Sequence, residues 1–149
     1  MTADLIFHII SRFIHISSVV ILLGGLFYAR QVLVPTFETL PEDARANAAA
    51  ASQSRFRNPL FSLLVLIVAS GLYNFFTGPK HGRDYQIWFG IKMLLVAHFA
   101  ATAILWATSP FGDVRVNDKG KKRLLSLTVS GLVIIAISAY LRSLTLRGL

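Results

Sequence analysis

The chain contains no cysteine, which excludes a disulfide scaffold, a thiolate metal site, an iron–sulfur cluster and a cysteine nucleophile. Charge is also scarce: only 15% of the 149 residues are charged, whereas a soluble domain carries about 25%. Asp and Glu number only seven, and they fall in predicted loops or near the ends of the chain. So few charges cannot cover a globular surface, so an ordinary soluble domain is excluded.

Long apolar runs are what the chain has in abundance. Hydrophobic residues make up 54% of it, and the mean hydropathy is +0.61. A helix needs about 20 apolar residues to cross the roughly 30 Å of hydrocarbon in a bilayer. The sequence therefore predicts one domain, residues 1–149, that is an all-α integral membrane protein embedded in the lipid bilayer. Its fold is predicted to be an up-down bundle of four transmembrane helices at about 5–30, 58–77, 85–107 and 124–142.

The first connection is predicted to be partly helical. Thr39 and Glu42 form a capping-box pattern, and the alanine-rich stretch that follows favours helix. We therefore expect a helical cytoplasmic loop at about residues 41–56.

The net charge of +8 is better explained by membrane orientation than by nucleic acid, because the basic residues flank the apolar runs. The loops after helices one and three, with their flanks, hold Arg30, Arg45, Arg55, Arg57, Arg115, Lys119, Lys121, Lys122 and Arg123. The other side holds Arg12, Lys80, Arg83, Arg142 and Arg147. Cytoplasmic loops are enriched in Lys and Arg. We expect both termini outside the cytoplasm, in a bacterial inner membrane.

Ionisable residues inside a span are costly and mark functional candidates. His15, Lys92 and His98 fall well inside the predicted spans, and His8 and Arg12 lie nearer an end. At 1.5 Å per residue, His15 lies about 15 Å along helix one and His98 about 16 Å along helix three. Two histidines at matched depth on separate helices suit the two axial positions of haem iron. The prediction is one haem b bound by His15 and His98.

Other polar residues extend this predicted site. Arg12 or Lys92 could pair with haem propionates, although either could instead snorkel to the membrane surface. His8 lies seven residues before His15, about 20° away on the same helical face, so it is the alternative ligand. Each histidine could also simply bond a serine or a carbonyl on a neighbouring helix.

The sequence of helix one, Phe13-Ile-His15 followed by Gly24-Gly25-Leu-Phe-Tyr28-Ala-Arg30, resembles the HemJ-type protoporphyrinogen oxidases. The resemblance continues through Arg55-Phe56 and through Trp88-Phe-Gly-Ile-Lys92. The chain is equally similar to the membrane domain of copper-resistance protein D, with its helix-one histidine, glycine pair and helix-three lysine.

The first resemblance implies a haem-bearing oxidoreductase that acts on protoporphyrinogen IX, with His15, Arg55 and Lys92 as its site residues. The leading prediction is an integral membrane b-type haem protein that carries electrons or oxidises a lipophilic or tetrapyrrole reductant. One alternative is copper transport or tolerance, with His8, His81 and Met93 as ligands. The other is a non-catalytic subunit of a larger membrane complex, or a homo-oligomer.

Overall fold

The computed structural model of the protein describes residues 3–78, 82–108 and 118–147. Over these ranges the chain forms helices and no strand. In chain order they are α1 (Ala3–Tyr28), a π-helical turn (Ala29–Leu33), α2 (Val34–Glu38), α3 (Glu42–Phe76), α4 (Arg83–Thr108) and α5 (Asp118–Arg147).

Four helical segments are long and apolar enough to cross a membrane: Ala3–Glu38, Glu42–Phe76, Arg83–Thr108 and Lys119–Leu146. The predicted fold class, an all-α bundle of four transmembrane helices, is confirmed. Large apolar side chains on the outer surface agree with this fold, since Phe13 is 69% exposed and Leu94 is 74% exposed. Lipid is as apolar as these side chains, so a bilayer removes the cost that water would impose.

The first spanning segment continues past its predicted end through a π-helical turn. The N–H of Val34 donates to the carbonyl of Ala29, five residues back. Pro35 follows immediately and has no N–H to donate, and in a regular α-helix its ring would clash with the carbonyl four residues earlier. The wider π turn accommodates this proline, and the chain then continues as α2.

The predicted loop helix and the second span form one continuous helix, α3. It begins after Pro41 with Glu42 and Asp43 in the first turn, where acidic side chains favour the positive end of the helix dipole. Its N-cap residue is Pro41, which has no side-chain acceptor, so no side chain caps the helix. The predicted capping box of Thr39 and Glu42 is not formed, and the hydroxyl of Thr39 donates to the carbonyl of Thr36 at 2.8 Å. Alanine and other helix formers follow, and the helix continues through Pro59 into the apolar span.

The four spanning segments form a ring. α1 packs mainly on α3 and α4 mainly on α5, while smaller contacts join α3 to α4 and α1 to α5. α1 and α4 therefore face each other diagonally. The end of the bundle where α1 and α4 begin is called the terminus end below, and the end where α3 and α5 begin is called the loop end. The interior is closed by leucines with almost no exposed surface, namely Leu22, Leu26, Leu60, Leu124 and Leu127.

Candidate functional site

His15 is held against α3 by its ring nitrogen Nδ1. This atom lies 3.0 Å from the carbonyl oxygen of Ile67 and 3.0 Å from Oγ of Ser70. A carbonyl only accepts, and the Ser70 hydroxyl donates to the carbonyl of Leu66, so both contacts require Nδ1 to carry the hydrogen. The neutral ring then keeps its lone pair on Nε2. His15 is therefore oriented as an acceptor or ligand through Nε2.

Gly71 gives the His15 ring its place on α3. A Cβ atom at position 71 would lie 3.0 Å from Cε1 of His15, closer than side chains normally pack. Ser70 and Gly71 thus form a seat for the ring, one by accepting its N–H and the other by having no side chain. Neither residue was predicted from the sequence, although a serine–glycine pair in an apolar run was the available signal.

His15 and Lys92 are brought together by the fold. Both line a small cavity of about 50 Å³ between α1, α3 and α4, together with Phe89, Met93 and Val96. The sequence predicted both as site residues, and the structure places them around one cavity although their helices lie diagonally. The cavity is much smaller than the roughly 300 Å³ at which small-molecule pockets begin, so it holds no large molecule by itself.

Lys92 also lines a second and larger cavity at the terminus end, with a volume of about 290 Å³. All four spanning segments contribute to this terminus-end cavity, which is lined by His8, Arg12, Asn74, Gly78, Tyr85, Lys92, Ser138, Leu141, Arg142 and Thr145. Lys92 therefore forms the boundary between the larger cavity and the small one that contains His15.

The charged side chains described in the lining of the terminus-end cavity are all positive. Its lining holds the cations of Arg12, Lys92 and Arg142, and no Asp or Glu is among the lining residues that the structure describes. None of these three cations forms an ion pair within the described ranges. Three converging cations without a counter-charge make this cavity a place for an anion.

The candidate copper ligands are not assembled. His8 lines the terminus-end cavity, and its Nδ1 lies 3.5 Å from Oγ1 of Thr77. Met93 instead lines the small cavity of His15. His81 lies outside the described residues. No group of three or more His, Cys, Asp or Glu side chains that could hold a metal ion occurs in the described part of the chain.

His98 does not meet His15. It is exposed on the outer surface of α4, and its Nε2 lies 3.3 Å from Oγ of Ser126 on α5. Its neighbour Phe99 is the residue that points inward, at 6% exposure. The apolar interior leaves a cavity of only about 60 Å³ there, lined by residues that include Phe99 and Ile67. A haem with His15 and His98 as its two axial ligands does not fit this arrangement.

Arg55 lies at the loop end, far from Lys92. It lines an apolar groove together with Trp106, and Trp106 follows Lys92 on α4 by 14 residues, about 21 Å of helix. The three residues that the HemJ-type resemblance assigns to one site are thus divided, with His15 and Lys92 together and Arg55 apart. No protein-family model, no curated protein and no solved structure matches the chain.

Proposed function

We propose that this integral membrane protein binds a carboxylate-bearing tetrapyrrole, with its carboxylates in the terminus-end cavity. The proposal rests on one observation. Arg12, Lys92 and Arg142 line the same cavity, and no acidic side chain is among the lining residues that the structure describes. Lys92 is half-buried, and a charge removed from water in a membrane protein is costly unless it is paired. Arg12 and Arg142 are exposed and add positive charge at the same cavity. A bound anion supplies the missing counter-charge.

An amphipathic anion suits this cavity better than an inorganic one. Tyr85 and Leu141 provide apolar wall beside the three cations, so a ligand with both an apolar body and a charged edge has partners for each. At about 290 Å³ the cavity is at the lower limit of small-molecule pockets. It would receive only the carboxylate edge of a tetrapyrrole, and the macrocycle itself would lie outside the cavity. The HemJ-type resemblance is what selects the tetrapyrrole among such anions.

His15 supplies a candidate proton acceptor next to this binding site. Its Nε2 lone pair is left available by the Nδ1 contacts with Ile67 and Ser70, and its ring lines the small cavity beside Lys92. Oxidation of a porphyrinogen releases protons as well as electrons. Because Lys92 separates the terminus-end cavity from the small cavity of His15, we infer that His15 accepts protons relayed past Lys92, while a membrane quinone accepts the electrons.

The positive charge of both cavities favours this function over copper handling. A copper ion in the small cavity would find the imidazole of His15 and the thioether of Met93, but it would also face the ammonium of Lys92. The terminus-end cavity presents further cations. Both cavities therefore favour an anion over a metal cation.

The proposed orientation places the terminus end outside the cytoplasm of a bacterial cell. It is supported by the excess of Lys and Arg in the loops at the loop end. A periplasmic reporter enzyme fused after Leu149 should be active, and a reporter that works only in the cytoplasm should be silent. The opposite pair of activities would invert the orientation. A homo-oligomer or larger complex is also a proposal, supported by the exposure of His98 on the outer surface.

The binding proposal is tested by titrating the purified full-length protein with protoporphyrin IX and with its dimethyl ester, followed by porphyrin fluorescence. The two molecules share the macrocycle and differ in their carboxylates, so we expect the free acid to bind and the ester to bind weakly. Lys92→Met should lower the affinity for the free acid by at least about 30-fold, because it removes one partner of a desolvated charge pair.

The matched control is Lys122→Met, an exposed lysine at the loop end, which should bind the free acid like the natural sequence. Equal affinities for acid and ester would remove the carboxylates from the proposal. Equal affinities of the Lys92→Met and Lys122→Met proteins would mean that Lys92 only snorkels to the membrane surface.

A further inference from the structure

The loop end carries a groove of about 550 Å³, within the range of small-molecule sites. Its floor is buried and apolar, with Ala29, Val34, Ala49, Trp106 and Leu124 all less than a tenth exposed. Its rim is open, because Tyr28 and Arg55 are exposed. The groove therefore joins an apolar interior to an accessible guanidinium.

The walls of the groove come from the irregular part of the fold. The π-helical turn contributes Ala29 and Leu33, and α2 contributes Phe37. Gly25 lets the ring of Phe56 approach α1, since a Cβ there would lie 3.2 Å from the ring, and Phe56 in turn packs edge-on against Trp106 with ring centroids 5.9 Å apart. Single-turn π-helices are frequent at functional sites. Here the turn shapes one wall of the groove.

The charge at this groove has one sign. Arg55 has no ion-pair or hydrogen-bond partner within the described ranges, and the groove lining that the structure describes includes no acidic residue. The nearby Glu38 is already paired with Lys121. A long apolar cleft with one uncompensated arginine at its membrane-surface rim is complementary to an acyl chain below a phosphate.

We propose that this groove is a binding site for an anionic phospholipid, with an acyl chain along the apolar floor and the phosphate at Arg55. Basic pockets between membrane helices are known recognition sites for anionic headgroups. The proposal concerns the loop end only, and it does not depend on the ligand of the terminus-end cavity.

The test is native mass spectrometry of the full-length protein, incubated with phosphatidylglycerol or phosphatidylcholine of identical acyl chains. The natural sequence should retain more phosphatidylglycerol. Arg55→Gln should reduce that preference by about five-fold, the effect of one basic residue near an anionic headgroup. Arg57→Gln is the matched control, because its side chain is about 200° further around α3 and does not line the groove.

A second pair of variants tests the acyl site. Ala51→Trp places bulk on the groove wall and should lower retention of both lipids, whereas Ala46→Trp, exposed and away from the groove, should not. Both alanines are exposed, so each variant is expected to fold, and circular dichroism checks this. Equal retention of the two lipids by the natural sequence would overturn the proposal, and so would an unchanged preference in Arg55→Gln.

Discussion

The two ends of the bundle differ in how they use charge. At the terminus end, cations from three spanning segments line one cavity, and Lys92 joins it to the small cavity that contains His15. At the loop end, a single arginine borders an apolar groove that opens sideways. The basic residues are more numerous near the loop end, yet more of them converge at the terminus end. The grouping of charges around one cavity, and not their number, is what supports the proposed site for the ligand's carboxylates.

The seat of His15 is the feature on which the terminus end depends most, and Gly71→Val should disturb it most. The added side chain would meet Cε1 of His15, because even a Cβ would lie 3.0 Å away. Overpacking of this kind costs about 1–3 kcal/mol. We expect a lower unfolding temperature in detergent and weaker porphyrin binding, with lipid preference at the loop end unchanged.

Gly90→Val is the control for that variant, since a Cβ at Gly90 has no heavy atom within 4 Å. It introduces the same side chain in another spanning helix. A loss of porphyrin binding as large as that of Gly71→Val would mean that the seat is not specific.

Ser70→Ala should have a smaller effect at the same end. It removes one of the two acceptors of the His15 Nδ1 hydrogen but leaves the carbonyl of Ile67. One hydrogen bond contributes about 1 kcal/mol, so porphyrin affinity should fall by about five-fold at most. Ser126→Ala removes the partner of His98 instead and should leave porphyrin affinity unchanged. If Ser126→Ala weakened binding more than Ser70→Ala, His98 would have to be part of the site.

The smallest predicted effect concerns the glycine pair on α1. Gly24 has open space at its Cβ position, whereas a Cβ at Gly25 would lie 3.2 and 3.3 Å from two ring atoms of Phe56. Replacing a helix-interior glycine by alanine stabilises by about 0.5–1 kcal/mol where nothing clashes. Gly24→Ala should therefore raise the unfolding temperature more than Gly25→Ala. Equal shifts would show that the groove wall at Phe56 is not tightly packed.

The number and nature of the spanning helices were predictable, because an apolar run of about twenty residues has the length that a bilayer requires of a helix. The continuity of α3 was not, because Pro59 lies between the loop segment and the span, where a proline predicts a break, yet the helix continues through it. The π turn before Pro35 was not predicted either. A proline inside an extended helical run predicts a disturbance, but not how the neighbouring backbone absorbs it.

The candidate site was only partly predictable. Depth along a helix follows from counting residues, but the direction of a side chain depends on how each helix is rotated in the bundle. His15 and His98 could thus be matched in depth while Phe99 took the inward direction on α4. Lys92 does reach the cavity of His15. Arg55 was grouped with them by resemblance alone, and the structure places it at the other end.

The most direct test of assigning a tetrapyrrole to one end and a lipid to the other uses the Lys92→Met and Arg55→Gln proteins. The affinity for protoporphyrin IX and the preference for phosphatidylglycerol are measured for each protein. We expect opposite losses: Lys92→Met should lose porphyrin binding and keep the lipid preference, while Arg55→Gln should do the reverse. The decisive quantity is the porphyrin affinity of the two variants. If Arg55→Gln lowered it as much as Lys92→Met, or if Lys92→Met left it unchanged, the terminus-end cavity would not be the tetrapyrrole site.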